Sequence, residues 1–148
     1  MKALTLTQPW ATLVAVGAKQ IETRSWQTNY RGRLAIHAAK GFPRDAIELC
    51  FDEPFAAALR VAGITKPADL PRGMVLATCR LVTCWQFDGA DTYIVGHQRE
   101  EHVVRLTEPE LSFGDFTPGR FGWLLADISR RTPVLARGSL GLWDWEPA

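Results

Sequence analysis

The chain has 148 residues, of which 47% are hydrophobic and 22% charged. This is the composition of one soluble domain, which we expect to span residues 1–148. No apolar run approaches the roughly 20 residues that a membrane helix needs, and the first residues lack a secretory signal, so we expect a cytoplasmic protein without a membrane partner. The three cysteines have no paired spacing, which excludes a disulfide framework and a structural zinc site. We expect no metal and no cofactor.

Charge is unevenly distributed along the chain, although the net charge is only +1. Residues 1–44 contain seven Lys and Arg against one acid, a net charge of +6, whereas residues 45–148 carry a net charge of −5. A basic segment of this kind indicates a polyanionic partner. We therefore expect the functional residues to lie mainly in the first 44.

The first predicted elements are a strand over residues 2–5 and a two-turn helix after it. Pro9 suits the first turn of a helix, and Gly17 suits its C-terminal end. Between them, apolar residues recur at helical spacing, so one side of the helix should face the core. These residues are Trp10, Leu13 and Val14.

The next two predicted strands carry alternating polar side chains. The first places Glu22, Arg24 and Trp26 on one face, because side chains of a strand alternate between its two faces. By the same alternation, the second strand places Arg33 and His37 together. We expect the two strands to be neighbours whose polar faces line one groove.

The rest of the chain changes from helical to strand patterns. Residues 43–63 have the apolar spacing of amphipathic helices and predict a helical insert. Residues 74–85 form a long β-branched and apolar run, typical of a central strand. Residues 86–117 are polar and loop-rich, with a short strand predicted at 103–106. Further strands are predicted at residues 121–128, 132–136 and, after a glycine turn, within 138–145. Together these elements predict an α+β fold in which a strand-rich barrel contains a short helix after the first strand and a helical insert.

A charged cluster follows the glycine turn, made by Lys19, Glu22 and Arg24. Lys19 could hold a phosphate or act as a base, and Glu22 could accept a hydrogen bond from a base edge or take a proton. The alternative is an ion pair between Glu22 and Arg24 that only fixes the strand.

Other residues of the first third suit contacts with a nucleic acid. The Gln8 amide could recognise a base edge, while Trp10 could stack on a base, although its helical spacing favours the core. For Trp26 and Tyr30, stacking and packing are equally compatible with the pattern. The residues that could contact phosphate are Arg24, Arg31, Arg33, Lys40 and, from a later strand, Arg120. His37 could act as an acid or base, but no nucleophile partner is evident.

Seven sequence pieces, in this order, resemble the ASCH domain family, which is named for homology to a transcriptional coactivator. They are Gln8-Pro9-Trp10-Ala11, Gly17-x-Lys19-x-x-Glu22-x-Arg24-x-Trp26, Tyr30-Arg31-Gly32, Ile36-His37-Ala38-Ala39-Lys40, Pro71-x-Gly73, Gly122-Trp123 and Gly138-x-x-Gly141-Leu142-Trp143. The resemblance implies a PUA-like β-barrel and an RNA-linked or other nucleic-acid-linked role. One bacterial branch that resembles this fold hydrolyses N4-acetylcytidine with a lysine, a threonine three positions later and a distant glutamate. Lys19 matches that lysine, but Glu22 stands in place of the threonine.

Two functional hypotheses follow. The first is a module with a basic cleft that binds RNA or single-stranded nucleic acid and can sense a modified nucleotide. The second is a small hydrolase that acts on a modified nucleoside, similar to an N4-acylcytidine amidohydrolase, or a ribonuclease. In the second case Lys19 and Glu22 would be the catalytic pair. The oligomeric state stays open.

Overall fold

The computed structural model describes residues 1–97 and 99–147, which form a mixed α+β fold. Its strands are β1 (Lys2–Leu6), β2 (Ile21–Arg24), β3 (Gly32–Ala38), β4 (Met74–Gln86), β5 (Thr92–His97), β6 (Glu100–Arg105), β7 (Phe121–Leu135) and β8 (Leu142–Asp144). Its helices are α1 (Trp10–Ala15), α2 (Arg44–Leu49) and α3 (Phe55–Val61), with 3-10 turns at Pro67–Asp69 and Glu110–Phe113. The predicted fold class and the predicted helical insert are confirmed.

Six strands form a curled half-barrel, in the order β2-β7-β4-β3-β1-β8. Strand β1 is parallel to β3 and antiparallel to β8, while β2 pairs with β7 at the opposite edge. The curl brings the end of β1 close to β2, since Arg24 Nη2 donates a hydrogen bond to the Thr5 carbonyl over 2.9 Å. The edge strand β2 therefore faces the end of β1 across a cleft.

Helix α1 lies against the sheet and carries the chain from β1 to β2. Its apolar residues face the core, as predicted, and Ala11 and Val14 pack with the sheet residues Leu4 and Trp123. The helix ends where Gly17 adopts a φ of 82°, a left-handed conformation that glycine adopts readily. This tight end directs the chain into β2 and turns residue 19 inward.

The helical insert covers one end of the half-barrel with a core of its own. Phe55 of α3 packs edge-on against Phe113, with ring centroids 5.1 Å apart, and Leu13 joins them from α1. No helix in residues 1–97 and 99–147 is long and apolar enough to span a membrane. The same residues contain no cluster of His, Cys, Asp and Glu placed to hold a metal ion.

The predicted groove between β2 and β3 is wrong, because β7 and β4 lie between these strands. Arg33 and His37 also do not share an open face. Ala35, which lies between them on β3, packs against Val75 in a buried cluster, and the pairing of β3 with β4 shifts after Ile36. Arg33 is exposed, whereas His37 is 2% exposed.

Two further predictions about strands differ from the structure. The segment predicted as loops with one short strand contains a complete hairpin, β5 paired with β6. The strands predicted at residues 121–128 and 132–136 are one long strand, β7, which is irregular at Asp127, where φ is 54°. Residues 129–131, where the sequence suggests a break, are polar residues that continue the strand.

Candidate functional site

The cleft between β1 and β2 has a volume of about 590 Å³, and we call it the aromatic cleft. It is lined by the indole rings of Trp10 and Trp26 and by charged side chains from three segments. These charged side chains are Glu22 and Arg24 of β2, Asp115 of the loop after the second 3-10 turn, and Arg120 at the start of β7.

Both tryptophans of the cleft are half-buried and held by other aromatic rings. Trp26 packs edge-on against Trp123 at 4.8 Å, and its carbonyl accepts a hydrogen bond from the Trp123 indole over 3.4 Å. Trp10 packs edge-on against Phe55 at 6.0 Å. Trp10 therefore packs on the core, as its spacing predicted, and also lines the cleft. The two rings are fixed and still accessible to a ligand.

Glu22 and Arg24 form an ion pair in the wall of the cleft, with 3.2 Å between Glu22 Oε2 and Arg24 Nη2. Glu22 Oε1 also accepts a hydrogen bond from the Thr23 backbone over 3.0 Å. The Glu22 side chain is 10% exposed and that of Arg24 is 24% exposed. The ion pair that the sequence raised as the structural alternative is present, and both of its residues also line the cleft.

Lys19 lies beneath this pair and has no exposed surface. Its Nζ donates to the carbonyls of Ile21, over 2.5 Å, and Phe113, over 3.1 Å, and lies 3.8 Å from Glu22 Oε1. Burial lowers the pKa of Lys19, and the neighbouring Glu22 carboxylate opposes that shift. The Lys19 side chain is enclosed and does not line the cleft, so this geometry gives no support to its predicted contact with phosphate or with a substrate.

Glu110 completes the buried cluster, and the sequence analysis missed it. Its carboxylate accepts hydrogen bonds from the backbone of Gln20 and Ile21, at 3.1 and 2.7 Å, where β2 begins. Burial raises the pKa of Glu110, while the charge of Lys19 acts to lower it. Glu110 lies 90 positions from Gln20, and no local pattern in the sequence could have indicated the contact.

Gln8 is also a structural residue. Its side-chain Nε2 donates to Thr12 Oγ1 over 2.8 Å and to the Pro71 carbonyl over 2.7 Å, and its Oε1 accepts from the Thr12 backbone over 3.0 Å. These bonds use both amide hydrogens of a side chain with no exposed surface. The amide joins α1 to the segment before β4, so this geometry gives no support to the predicted contact of Gln8 with a base edge.

Three residues predicted to contact nucleic acid lie away from the cleft. The Tyr30 hydroxyl donates to the Arg33 carbonyl. Arg31 Nη1 donates to the carbonyls of Thr28 and Tyr30, at 2.8 and 2.9 Å. Arg33 is exposed on β3, opposite Arg80 of β4. The structure thus does not bring Tyr30, Arg31 or Arg33 together with Glu22 and Arg24.

His37 and Lys40 line a different cavity. His37 Nε2 lies 2.8 Å from the Ala136 carbonyl, and Nδ1 lies 3.1 Å from Thr5 Oγ1. Because a carbonyl only accepts, Nε2 carries a proton. Thr5 Oγ1 in turn accepts from the Trp143 indole over 3.0 Å. Both ring nitrogens of His37 are thus used in joining β1, β3, β7 and β8, and its place is structural rather than that of an acid or base.

Arg120 reaches the cleft from the start of β7, as predicted. Its Nε lies 3.4 Å from Asp115 Oδ2 and donates to the Asp115 carbonyl over 3.2 Å. With Glu22 opposite Arg24 and Asp115 opposite Arg120, the charges that line the cleft balance. Unlike the predicted basic cleft, the aromatic cleft has no net formal charge among its lining residues, and it suits an uncharged polar ring better than a phosphate.

The half-barrel closed by a short helix and an insert is a PUA-like fold. Residues 4–113 match the ASCH domain, and the chain belongs to the ASCH domain family. It is similar to activating signal cointegrator 1 of Homo sapiens, with 39% identity over 83 residues, and to the protein of that name from Mus musculus, with 37% identity over 83 residues. Each match covers 55% of this chain and 14% of the relative, so the chain corresponds to a small part of those proteins.

Proposed function

We propose that this protein binds RNA or another single-stranded nucleic acid and that the aromatic cleft holds one base. The observation that carries the proposal is that the Glu22–Arg24 pair and two partly accessible tryptophans, Trp10 and Trp26, line the same cleft. Stacking of a base on an aromatic side chain contributes about 1–3 kcal/mol in single-strand binding proteins. The cleft is large enough, since small-molecule sites begin at about 300 Å³.

The charged pair supports a preference among bases. A carboxylate oxygen has two lone pairs, so Glu22 can accept a further hydrogen bond from an exocyclic amino group such as N4 of cytosine. Arg24 uses Nη2 for its protein contacts, and no hydrogen bond among the described residues uses its Nη1. That group can donate to the carbonyl or ring nitrogen beside the amino group. Uracil has no amino group, so we propose that cytosine binds more tightly.

The test is a titration of fluorescein-labelled oligocytidine and oligouridine, as RNA and as DNA, followed by anisotropy. We expect oligocytidine to bind about tenfold more tightly, which corresponds to about 1.4 kcal/mol. Glu22→Gln should weaken this preference, because a neutral amide oxygen accepts a hydrogen bond less strongly than a carboxylate, while Glu48→Gln, which changes an exposed carboxylate on α2, should retain it. Failure of the wild-type protein to bind any of the oligonucleotides would contradict the proposal. So would an unchanged preference in Glu22→Gln.

The same samples test the hydrolase hypothesis. In this geometry Glu22 is the one member of the predicted catalytic pair that lines the cleft. Recovered strands should be intact after incubation, and N4-acetylcytidine should be unchanged. Turnover that is lost in Glu22→Gln and kept in Glu48→Gln would instead make the protein an enzyme.

A further inference from the structure

A second cavity, of about 1000 Å³, lies on the other side of the end of β1. Lys40, Arg72 and Arg137 line it, together with the backbone of the glycine loop that precedes β8. No Asp or Glu is among its lining residues. We call this cavity the basic groove. The sequence analysis assigned only Lys40 of these three cations to a binding role, because Arg72 and Arg137 lie in the part of the chain with net negative charge.

The cations of the basic groove are exposed and have no acidic partner among residues 1–97 and 99–147. Arg72 is nevertheless positioned: its Nη1 donates to the Lys40 carbonyl over 3.1 Å, and its guanidinium lies 5.9 Å from the centre of the Phe42 ring. Arginines of this kind form strong charge-assisted hydrogen bonds with phosphate. The balanced aromatic cleft has no comparable excess of positive charge.

The wall of the groove is built against the His37 network. A Cβ atom at Gly138 would lie 2.6 Å from His37 Cε1 and 2.8 Å from Thr5 Oγ1, so only glycine lets the loop approach this closely. The loop that carries Arg137 is therefore held on the sheet by a close contact. This contact fixes the backbone next to Arg137, while Arg72 is held by its contacts with Lys40 and Phe42.

Thr5 connects the two cavities, because it lines both. Its carbonyl accepts the hydrogen bond from Arg24 on the side of the aromatic cleft, and its hydroxyl contacts His37 on the side of the groove. A chain that leaves the cleft over the end of β1 enters the groove directly. The neutral aromatic cleft suits a base, and the adjoining basic groove suits the phosphates next to that base.

We infer that the basic groove binds the phosphate backbone of the same single strand whose base occupies the aromatic cleft. This inference rests on the proposed function. Lys40, Arg72 and Arg137 contact phosphate oxygens of the nucleotides next to the bound base. The exposed Leu135 and Leu140 at the rim of the groove contact sugars or unstacked bases of that strand.

The test compares the salt dependence of oligocytidine binding by the wild type and the triple variant Lys40→Gln/Arg72→Gln/Arg137→Gln. For single strands, the slope of log K against log salt changes by about 0.7 for each phosphate contact. We expect the magnitude of this slope to be smaller by about 2 in the triple variant. The variant should keep its preference for cytidine over uridine. The matched control is Lys66→Gln/Arg105→Gln/Arg130→Gln, which removes three exposed charges outside both cavities and should keep the wild-type slope.

The outcomes separate this inference from the proposed function. If the triple variant keeps the wild-type slope and the base preference, phosphate binding by the basic groove is contradicted, while base binding by the aromatic cleft still stands. Equal losses in the triple variant and its control overturn the inference too, because the effect is then one of net charge. No oligonucleotide binding by the wild type overturns both. Exposed leucines beside cations also suit an anionic membrane. The inference is therefore overturned in favour of a lipid site if the three substitutions abolish binding to phosphatidylserine vesicles but leave the salt dependence of oligocytidine binding unchanged.

Discussion

The Glu22 carboxylate is held by a backbone amide and two cations, each from a different direction. The Thr23 amide and Arg24 contact it from β2, and Lys19 lies below it at 3.8 Å. A carboxylate held in this way keeps its orientation without a ligand, so little would have to be reorganised on binding of the proposed base. The two cations beside Glu22 are engaged with this one carboxylate.

Replacement of Lys19 by methionine should destabilise the fold strongly. The variant leaves the Ile21 and Phe113 carbonyls without their donor and removes a cation from the buried side of Glu22. Loss of one partner from a buried charge pair typically costs about 3–5 kcal/mol, and we expect a loss of at least about 2 kcal/mol in the free energy of unfolding, measured with urea. The exposed Lys66→Met serves as the control. A Lys19→Met protein as stable as this control would contradict the structural role.

At the residue scale, local patterns predicted which side chains share a face but not what covers them. Alternation along β2 placed Glu22 and Arg24 on one face, and in the structure their side chains form an ion pair. The burial of Gln8 and Lys19 depends on contacts with Pro71 and Phe113, which are distant in sequence. A lysine after a glycine turn gives the same sequence pattern whether its side chain faces solvent or contacts a buried carbonyl. The sequence therefore could not distinguish an exposed Lys19 from a buried one.

At the scale of elements, residue type and periodicity predicted α1, β4 and the helical insert well. They could not predict which strands are neighbours, because β2 pairs with β7, about 100 residues later, rather than with β3. Strand β6 was recognised only in part. Its exposed Val103 lies opposite the exposed Ile94 of β5, and a two-stranded hairpin with apolar residues on its open side lacks the clear alternation of a half-buried strand.

Arg80 ties the hairpin to the half-barrel. Its guanidinium contacts both oxygens of Glu100, at 2.8 and 2.9 Å, and Asp127 Oδ2, at 2.8 Å. Hydrogen bonds from Arg80, and then from His102, lower the pKa of Glu100 from 4.5 to about 2. Because the pKa is lowered in the folded state, the tie is fully present above pH 4.5 and is lost as the pH falls through about 2.

Arg80→Gln should therefore return the Glu100 pKa toward 4.5. The measurement is an NMR titration of the Glu100 side-chain carboxyl carbon in the wild type and the variant. The wild-type signal should move only as the pH approaches about 2. Lys66→Gln, which removes an equal charge elsewhere on the surface, should leave the titration unchanged. A Glu100 pKa near 4.5 in the wild-type protein would show that the tie is absent in solution.

At the scale of the whole molecule, the charge distribution is produced by the fold. The sequence placed a net +6 in residues 1–44, but Lys19 and Arg24 from that segment are paired with Glu22. The cations without acidic partners in the basic groove come from three separated segments, around residues 40, 72 and 137. We therefore propose that the polyanion indicated by the sequence binds at the basic groove, which adjoins the aromatic cleft at Thr5.

The central claim is that a base enters the cleft between Trp10 and Trp26. The chain has six tryptophans, and each gives one indole N–H signal in a ¹⁵N-edited NMR spectrum. On addition of oligocytidine, the signals of Trp10 and Trp26 should shift most, because a stacked base changes the ring-current field at both. Trp85, which packs under the hairpin, and the buried Trp145 should stay in place. Binding that leaves Trp10 and Trp26 unchanged, or that shifts Trp85 instead, would contradict the account.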